Sequence, residues 1–437
     1  MELKTPLGWS IKQIKDIGKC VTGTTPRTNE PEYYSSFDYD FISPADLGNS
    51  KYIYNSNKKV SQKGIEVSRP IPKNTVLCVC IGSSIGKVGL SWHKKSCTNQ
   101  QINSIICNKF NNPHFIYYLL LYYSDYWKSF ATFSTVPILN KGRFEEITLP
   151  TCNDIEEQQK IARVLAMVQD AIVQQEQLIT LTTELRKNLI HKLFSEGIVN
   201  ETRKNTEIIF PESWNVKALG ELASKPHGCL QTGPFGSQLH KDEYQTEGIP
   251  VINPTHLAGN KINPEDVPRI SLQTASRLSR HYLEVGDILF ARRGEIGRHG
   301  IVGEKENGWL CGTGCFLVRV KQRFIDNRFL SYYFSTNQLI TWLYKHAAGA
   351  IMPNLNNAVM RKIPVYFPDI AIQQQIADNL DLIGGRISNL QEKHTLLNDL
   401  FRTLLHQLIT AKIRVDDLNL SALNIELQGG DNNNANL

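Results

Sequence analysis

The sequence has no CxxC pair among its nine cysteines: one residue separates Cys78 from Cys80, and three separate Cys311 from Cys315. An odd count without paired spacing argues against a disulfide framework. With no secretory leader either, the expectation is reduced, mostly buried thiols in a cytoplasmic protein. No apolar run is long enough to span a bilayer, so a membrane is not expected among the partners. Neither sign of charge dominates. A formal +6 with a pI near 8.7 permits a nucleic-acid partner without demanding one. There is no Asp…Glu-x-Lys nuclease pair and no HExxH, so no catalytic residue and no metal ligand is assigned. At 437 residues the chain is too long for one core and calls for two or more domains.

What the sequence does have is a long seam. From Gln373 to Leu408 the apolar positions Ile376, Leu380, Ile383, Ile387, Leu390, Leu397, Phe401, Leu404 and Leu408, with His394 among them, keep a strict 4-3 spacing. That is the pattern by which one helix packs along another. At 1.5 Å per residue it makes a rod roughly 50 Å long. The rod occurs twice. Gln158-Gln159-Lys160-Ile161-Ala162 returns as Gln373-Gln374-Gln375-Ile376-Ala377 at an offset of 215, which also carries Leu165 onto Leu380 and Leu193 onto Leu408. The first copy's seam is Ile161, Leu165, Val168, Ile172, Ile179, Leu189 and Leu193, interrupted by Gln175, Thr182 and Arg186. Each copy is a natural partner for the other. Antiparallel pairing about residues 177 and 392 puts Gln175 opposite His394, a polar pair able to set the register.

The rest of the chain is duplicated too. Pro6 to Lys12 is matched by Pro211 to Lys217, Thr22-Gly23 by Thr232-Gly233, and Ile85-Gly86-Lys87 by Ile296-Gly297-Arg298. Pro137-Ile138-Leu139-Asn140 is matched by Pro353-Asn354-Leu355-Asn356, while the offset drifts from 205 to 216 as loop insertions would make it. The layout is globular unit, long helix, globular unit, long helix, with a period too long for a solenoid. Within the units, residues 75–81, 88–92, 102–107, 286–291 and 315–320 read as strands. Gly82, Gly86, Gly89, Gly294 and Gly297 mark turns between them. One helix per unit is expected, over 113–130 and 327–346, capped by Asn112 and Asp326. Gly197 should stop the first long helix. Asn200 to Thr206 reads as a linker and Gly429 to Leu437 as disordered. The fold class is therefore α+β: two similar α/β domains separated by two long helices packed as an antiparallel coiled coil.

Two motifs are weighed and set aside. Gly82-Ser83-Ser84-Ile85-Gly86-Lys87 is one residue short of a phosphate loop, and Val88 stands where a magnesium-binding hydroxyl belongs. A tight strand-to-strand turn with basic side chains accounts for it better. Asn112-Pro113-His114-Phe115 superficially resembles the base-holding loop of amino-methyltransferases, but a helix cap explains it more simply. Basic and amide side chains near these glycine loops point elsewhere, because Arg on guanine and Asn or Gln on adenine are the pairings that read major-groove edges. The candidates for contact with double-stranded DNA are Ser83, Ser84, Lys87, Lys94, Lys95, Asn99, Gln100 and Lys141 in the first unit. In the second they are Gln231, Thr232, Phe235, Ser237, Gln238, Arg292, Arg293, Arg298 and Asn356.

Taken together, the chain resembles the DNA-specificity subunits of type I restriction–modification systems. The resemblance is carried by the duplicated layout, the repeated Gln158–Ala162 and Gln373–Ala377 motifs, and the helix ends at 189–193 and 404–408. Thr232-Gly233-Pro234-Phe235-Gly236-Ser237, Ile85-Gly86-Lys87-Val88-Gly89 and Thr98 to Asn103 contribute as well. It implies target-recognition domains over 1–154 and 214–368 and spacer helices over 155–197 and 369–412. It also implies a linker over 198–213 and a disordered tail over 413–437. Each domain would read one half of a bipartite, asymmetric target in a bacterial or archaeal cytoplasm. The helices would dock two modification (methyltransferase) subunits and, with them, restriction (motor-nuclease) subunits. Those partners would bring S-adenosylmethionine, ATP and Mg; this chain would hold no cofactor and catalyse nothing by itself. The alternatives are a specificity subunit of a methylation-only system, a methyltransferase or nuclease with unrecognised motifs, and a scaffold that never reads DNA.

Overall fold

The structure, a computed structural model, describes residues 5–48, 50–132, 136–198, 201–204, 207–224, 226, 228–321, 323–347 and 355–418. Pro353 and Asn354 of the repeated segment, Asn200, Asn205 and Thr206 of the expected linker, and the tail from residue 419 lie outside the described residues. Among the described residues no helix is long and apolar enough to cross a membrane. The chain divides into two compact units: the residues up to Glu176 together with those from Glu392 on, and Gln177–Gln391. The divisions fall inside the two long helices, Ile155–Glu196 and Ile370–Ile409.

In the first unit the central sheet has the order Gly18–Thr22, Ile102–Cys107, Val76–Val79, Val88–Ser91, Tyr52–Ile53. Its neighbours are antiparallel except at the last pair. A second sheet pairs Tyr39–Ile42 in parallel with Lys95–Thr98. In the second unit the sheet order Gly228–Thr232, Cys315–Val320, Ile288–Ala291, His299–Ile301 repeats the first four strands, and Ile249–Ile252 pairs in parallel with Leu310–Cys311. Each unit is closed by an antiparallel ribbon, Trp9–Gln13 with Thr148–Cys152 and Asn215–Ala218 with Pro364–Phe367. The matching tryptophans are both buried: Trp9 meets Phe115 edge-on at 5.6 Å, and Trp214 lies 5.8 Å from Phe329.

The expected helices are each two. Pro113–Tyr122 is followed by Ser124–Lys128, because Tyr123 leaves helical geometry at φ −88°, ψ 19°. Asn327–Phe334 is followed by Asn337–His346, whose start is capped by the Thr336 hydroxyl accepting from the Leu339 amide. Asn112 and Asp326 do cap the first helix of each pair, each accepting from two amides. Gly89 marks no turn. It lies inside a strand, where a Cβ would already touch Leu47 and Ile53. Part of the expected linker is structured: Arg203–Lys204 pairs with Phe210–Pro211. So is the start of the expected tail, where Val415 is buried and Arg414 binds the Leu7 carbonyl and the Glu157 carboxylate.

The repeated glutamine motif explains how the long helices are fixed to their units. Gln158 and Gln373 are both 0% exposed. The Gln158 carbonyl accepts from the Asn112 amide at 2.6 Å, and its amide donates to Phe110 O and Cys152 O. Gln373 repeats this on the Asp326 amide, Phe324 O and Pro368 O. A buried primary amide with its bonds made is stable, whereas the same backbone groups left unpaired would each cost about 1–3 kcal/mol.

In each unit the start of one long helix packs beside the end of the other. Ile161 and Leu165 share a core with Leu405, Leu408 and Ile409 in the first unit. Ile190 and Leu193 share one with Ile376 and Leu380 in the second. The helices are therefore antiparallel in both. His394 lies 3.0 Å from the carboxylate of Glu176, one position beyond the expected Gln175, which is itself buried.

Candidate nucleic-acid interface

In each unit, loops from the two sheets and a capped short helix meet at one edge. In the first unit, Thr24 N–H donates to Thr98 O, Cys80 N–H to Gln101 O, and Leu139 N–H to Cys80 O. The repeated Thr-Gly pair belongs to this seam. A Cβ on Gly23 would stand 2.1 Å from the Asn99 carbonyl, and one on Gly233 would stand 2.0 Å from that of Gly312, so only glycine fits. Asn140 and Asn356 cap the short helices Lys141–Glu146 and Asn357–Lys362 through the Arg143 and Val359 amides. The glycine loop is a strand-turn-strand in both units, with Gly82, Gly86, Gly294 and Gly297 all at positive φ. A phosphate loop must lead into a helix, so that reading does not survive.

The first unit brings some of its candidates together. Asn99 and Gln101 lock each other, Asn99 Nδ2 donating to Gln101 Oε1 at 2.8 Å and Gln101 N–H to Asn99 Oδ1 at 3.1 Å. Exposed Gln100 accepts from the Thr25 hydroxyl at 2.6 Å. Ser83 and Ser84 sit on the adjoining turn, and Lys141 is exposed nearby, paired with Glu145 at 3.4 Å. Lys94 and Lys95 do not join them. They lie at the opposite end of the strand Lys95–Thr98, where the Lys95 ammonium is 5.3 Å from the Tyr39 ring. Lys87 turns its stem against Gly48 and lines a separate cleft of about 390 Å³ with Lys128 and Gln169.

The second unit gathers more. A cleft of about 380 Å³ is lined by Gln231, Thr232, Phe235, Arg280, Arg292 and Asn356. Gln231 Nε2 donates to Arg280 O at 2.5 Å, and Gln238 Oε1 accepts from the Phe235 amide and from Arg280 Nη2. Arg292 is held by its own N–H on Gly314 O, by Leu355 N–H on its carbonyl, and by its Nε on Leu355 O. Its guanidinium carbon stands 5.9 Å from the centroid of the Phe235 ring. Ser237 and Arg293 are exposed outside this set, and Arg298 is half-buried below the glycine turn. Sequence reading missed Arg280, Thr25 and His281. Neither Arg280 nor His281 is near a glycine loop in sequence, so nothing local marked them. Buried His281 accepts from Arg280 Nε at 3.0 Å, and burial together with the Arg280 charge pushes it down to about 4.

The two edges share a frame and differ in chemistry. Leu139 N–H binds Cys80 O as Leu355 N–H binds Arg292 O, so these two residues are equivalent. Burial pushes the Cys80 thiol up to about 12, leaving a neutral wall where the second unit has a cation. By the parallel strand registers Ile42–Thr98 and Ile252–Cys311, Asn99-Gln100-Gln101 is replaced by Gly312-Thr313-Gly314.

Comparison with known proteins follows the same duplication. The sequence matches the family described as the type I restriction modification DNA specificity domain twice, over residues 6–183 and 211–398. It is 26% identical over 432 residues to the type I restriction enzyme MjaIX specificity subunit of Methanocaldococcus jannaschii, covering 95% of this chain and 96% of that one. The type I restriction enzyme HindI specificity subunit of Haemophilus influenzae is 32% identical over 151 residues, 33% of this chain and 32% of its own. In fold, the chain is similar to the crystal structure of a type I restriction–modification S subunit from M. genitalium, at a TM-score of 0.60 and 18% identity, covering 93% and 98% of the two chains. With two matches spanning most of its length, the chain belongs to the type I restriction–modification DNA specificity family.

Proposed function

We propose that this chain reads a two-part, asymmetric sequence in double-stranded DNA, one part per unit, on behalf of a type I restriction–modification complex. The observation that carries this reading is the one frame used twice with different edges. Equivalent backbone bonds hold Asn99-Gln100-Gln101 beside Cys80 in one unit and Gly312-Thr313-Gly314 beside Arg292 in the other. A binder indifferent to sequence has no need of oriented amides and a pinned arginine, since phosphates are held well enough by flexible cations. Two different edges call for two different half-sites.

Methylation and cleavage fall to partners, which supply S-adenosylmethionine, ATP and Mg in a cytoplasmic complex. Reaching a base inside the duplex requires extruding it, a task for the methyltransferase subunit. Two copies of that subunit would dock on the outer faces of the long helices. Leu181 and Leu185 are 61% and 57% exposed, and 215 residues later Leu396 and Leu400 are 63% and 45% exposed. Leucines four apart share a helix face, and the duplication offers the same apolar patch twice. The test is a map of methylated adenines in a strain expressing the complete system. A two-part motif with unlike halves is expected; a motif in one part, or none, would reject the reading.

A further inference from the structure

We propose that the cleft around Arg292 and Phe235 reads a guanine, and that the half-site recognised by the second unit therefore contains a G·C pair contacted through Arg292. This rests on the function proposed above and adds which base is read, where, and by which side chain.

Arg292 is a constrained arginine. Its backbone N–H and C=O are both bonded, its Nε is tied to Leu355 O at 3.3 Å, and its guanidinium lies over the Phe235 ring. Neither Nη group has a hydrogen-bond partner among the described residues, and the side chain lines the open cleft. What remains is an end-on pair of N–H donors in a fixed plane. Guanine alone among the bases presents two adjacent acceptors, O6 and N7, on its major-groove edge. Adenine sets a donor beside N7, cytosine offers a donor, and thymine offers one acceptor beside a methyl group.

A phosphate also accepts two bonds from arginine, but the surroundings favour a base edge. Exposed Arg293, next in sequence, suits a phosphate. Arg292 is half-buried beside Gln231 and Asn356, and the other cation of the cleft, Arg280, is already committed to His281 and Gln238. Asn356 Oδ1 is committed to the Val359 amide, and Gln231 Nε2 to Arg280 O, so these neighbours are fixed as well. Ordering the donors beforehand is what discrimination between bases requires. The first unit has Cys80 at the equivalent place, so no such contact arises there.

The experiment maps methylated motifs in strains carrying the complete system with the unaltered chain, Arg292→Gln, Arg292→Lys or Arg293→Gln. The unaltered chain should give one half-motif with an invariant G·C pair. Arg292→Gln should lower methylation of the original site by roughly 5- to 150-fold and relax or shift that one base pair, leaving the other half and the spacing intact. Arg292→Lys keeps the charge and should also relax that position, which separates loss of reading from loss of folding. Arg293→Gln should lower methylation at all sites alike, as loss of a phosphate contact does, without altering the base preference at any position. An unchanged motif in both Arg292 variants, or a half-motif without an invariant G·C pair, would overturn the guanine assignment while leaving the two-part reading standing. Absence of any two-part motif with the unaltered chain would overturn the function itself.

Discussion

The two units differ where they have solvent and agree where they do not. Gln158 and Gln373 make the same three backbone bonds, Trp9 and Trp214 fill the same place, and Asn112 and Asp326 cap the same helix. At the loop edges one unit offers interlocked amides and the other an arginine whose guanidinium lies over a phenylalanine ring, 5.9 Å from its centroid. A buried hydrogen bond constrains residue type strongly, because removing one partner leaves a desolvated group behind. An exposed loop carries no such constraint and is free to vary with what it binds.

That contrast can be broken at its strongest point. Gln158→Leu and Gln373→Leu should each destabilise the protein by about 3 kcal/mol or more, since each leaves an amide and two carbonyls buried without partners. Urea denaturation checks it, and a large loss in only one of the two would contradict an equivalent frame. Next comes the exchange of edges. Replacing Asn99-Gln100-Gln101 by Gly-Thr-Gly, the second unit's residues, should abolish recognition of one half-site, at roughly 1–3 kcal/mol for each bidentate amide–base pairing removed. Methylation maps should show the other half unaltered. A change in both halves would mean that the units do not read independently.

The exposed leucine patches proposed for docking give a subtler contrast. Leu181→Ser should leave stability within about 0.5 kcal/mol, because the side chain is already exposed. It should reduce the bound modification subunits from two to one, as should Leu396→Ser alone, measured by the mass of the purified complex. Two subunits retained by the double variant would place docking elsewhere. The smallest effect is one of pH. Burial, with Lys51 and Lys73 nearby, holds His114 down at about 4, and His281 is pushed to about the same value. Depressed histidines resist the protons that the unfolded chain accepts from its ordinary value of 6.5 downward. Each unit should thus lose stability as pH falls from about 6.5 towards 4. His281→Gln should flatten that slope, read from urea midpoints across the same range.

Much of this could be read without coordinates. The strands Ile102–Cys107 and Cys315–Val320 lie where alternation and flanking turns put them, and the antiparallel register is right to within one residue at Glu176 and His394. The failures have local causes. Tyr123 breaks its helix by a change in backbone torsion that leaves no mark in periodicity, whereas Ser335-Thr336-Asn337-Gln338 interrupt the apolar content at the second break and Thr336 caps a new helix there. Lys94 was grouped with Asn99 by nearness in sequence, yet a four-residue strand puts them at opposite ends.

By itself the sequence determined the duplication, the two long helices and their pairing sense, because periodic burial and repetition are written residue by residue along the chain. Only the tertiary structure decided which side chains share an edge. Gln231, Arg280, Arg292 and Asn356 come from four separate stretches and meet because strand registers, two backbone bonds and one side-chain bond at Arg292 bring them to one cleft. Distance along a chain says nothing of distance across a sheet, so Gln231, Thr232, Phe235, Arg292 and Asn356 could be named as candidates from the sequence, while their meeting in one cleft with Arg280 could not.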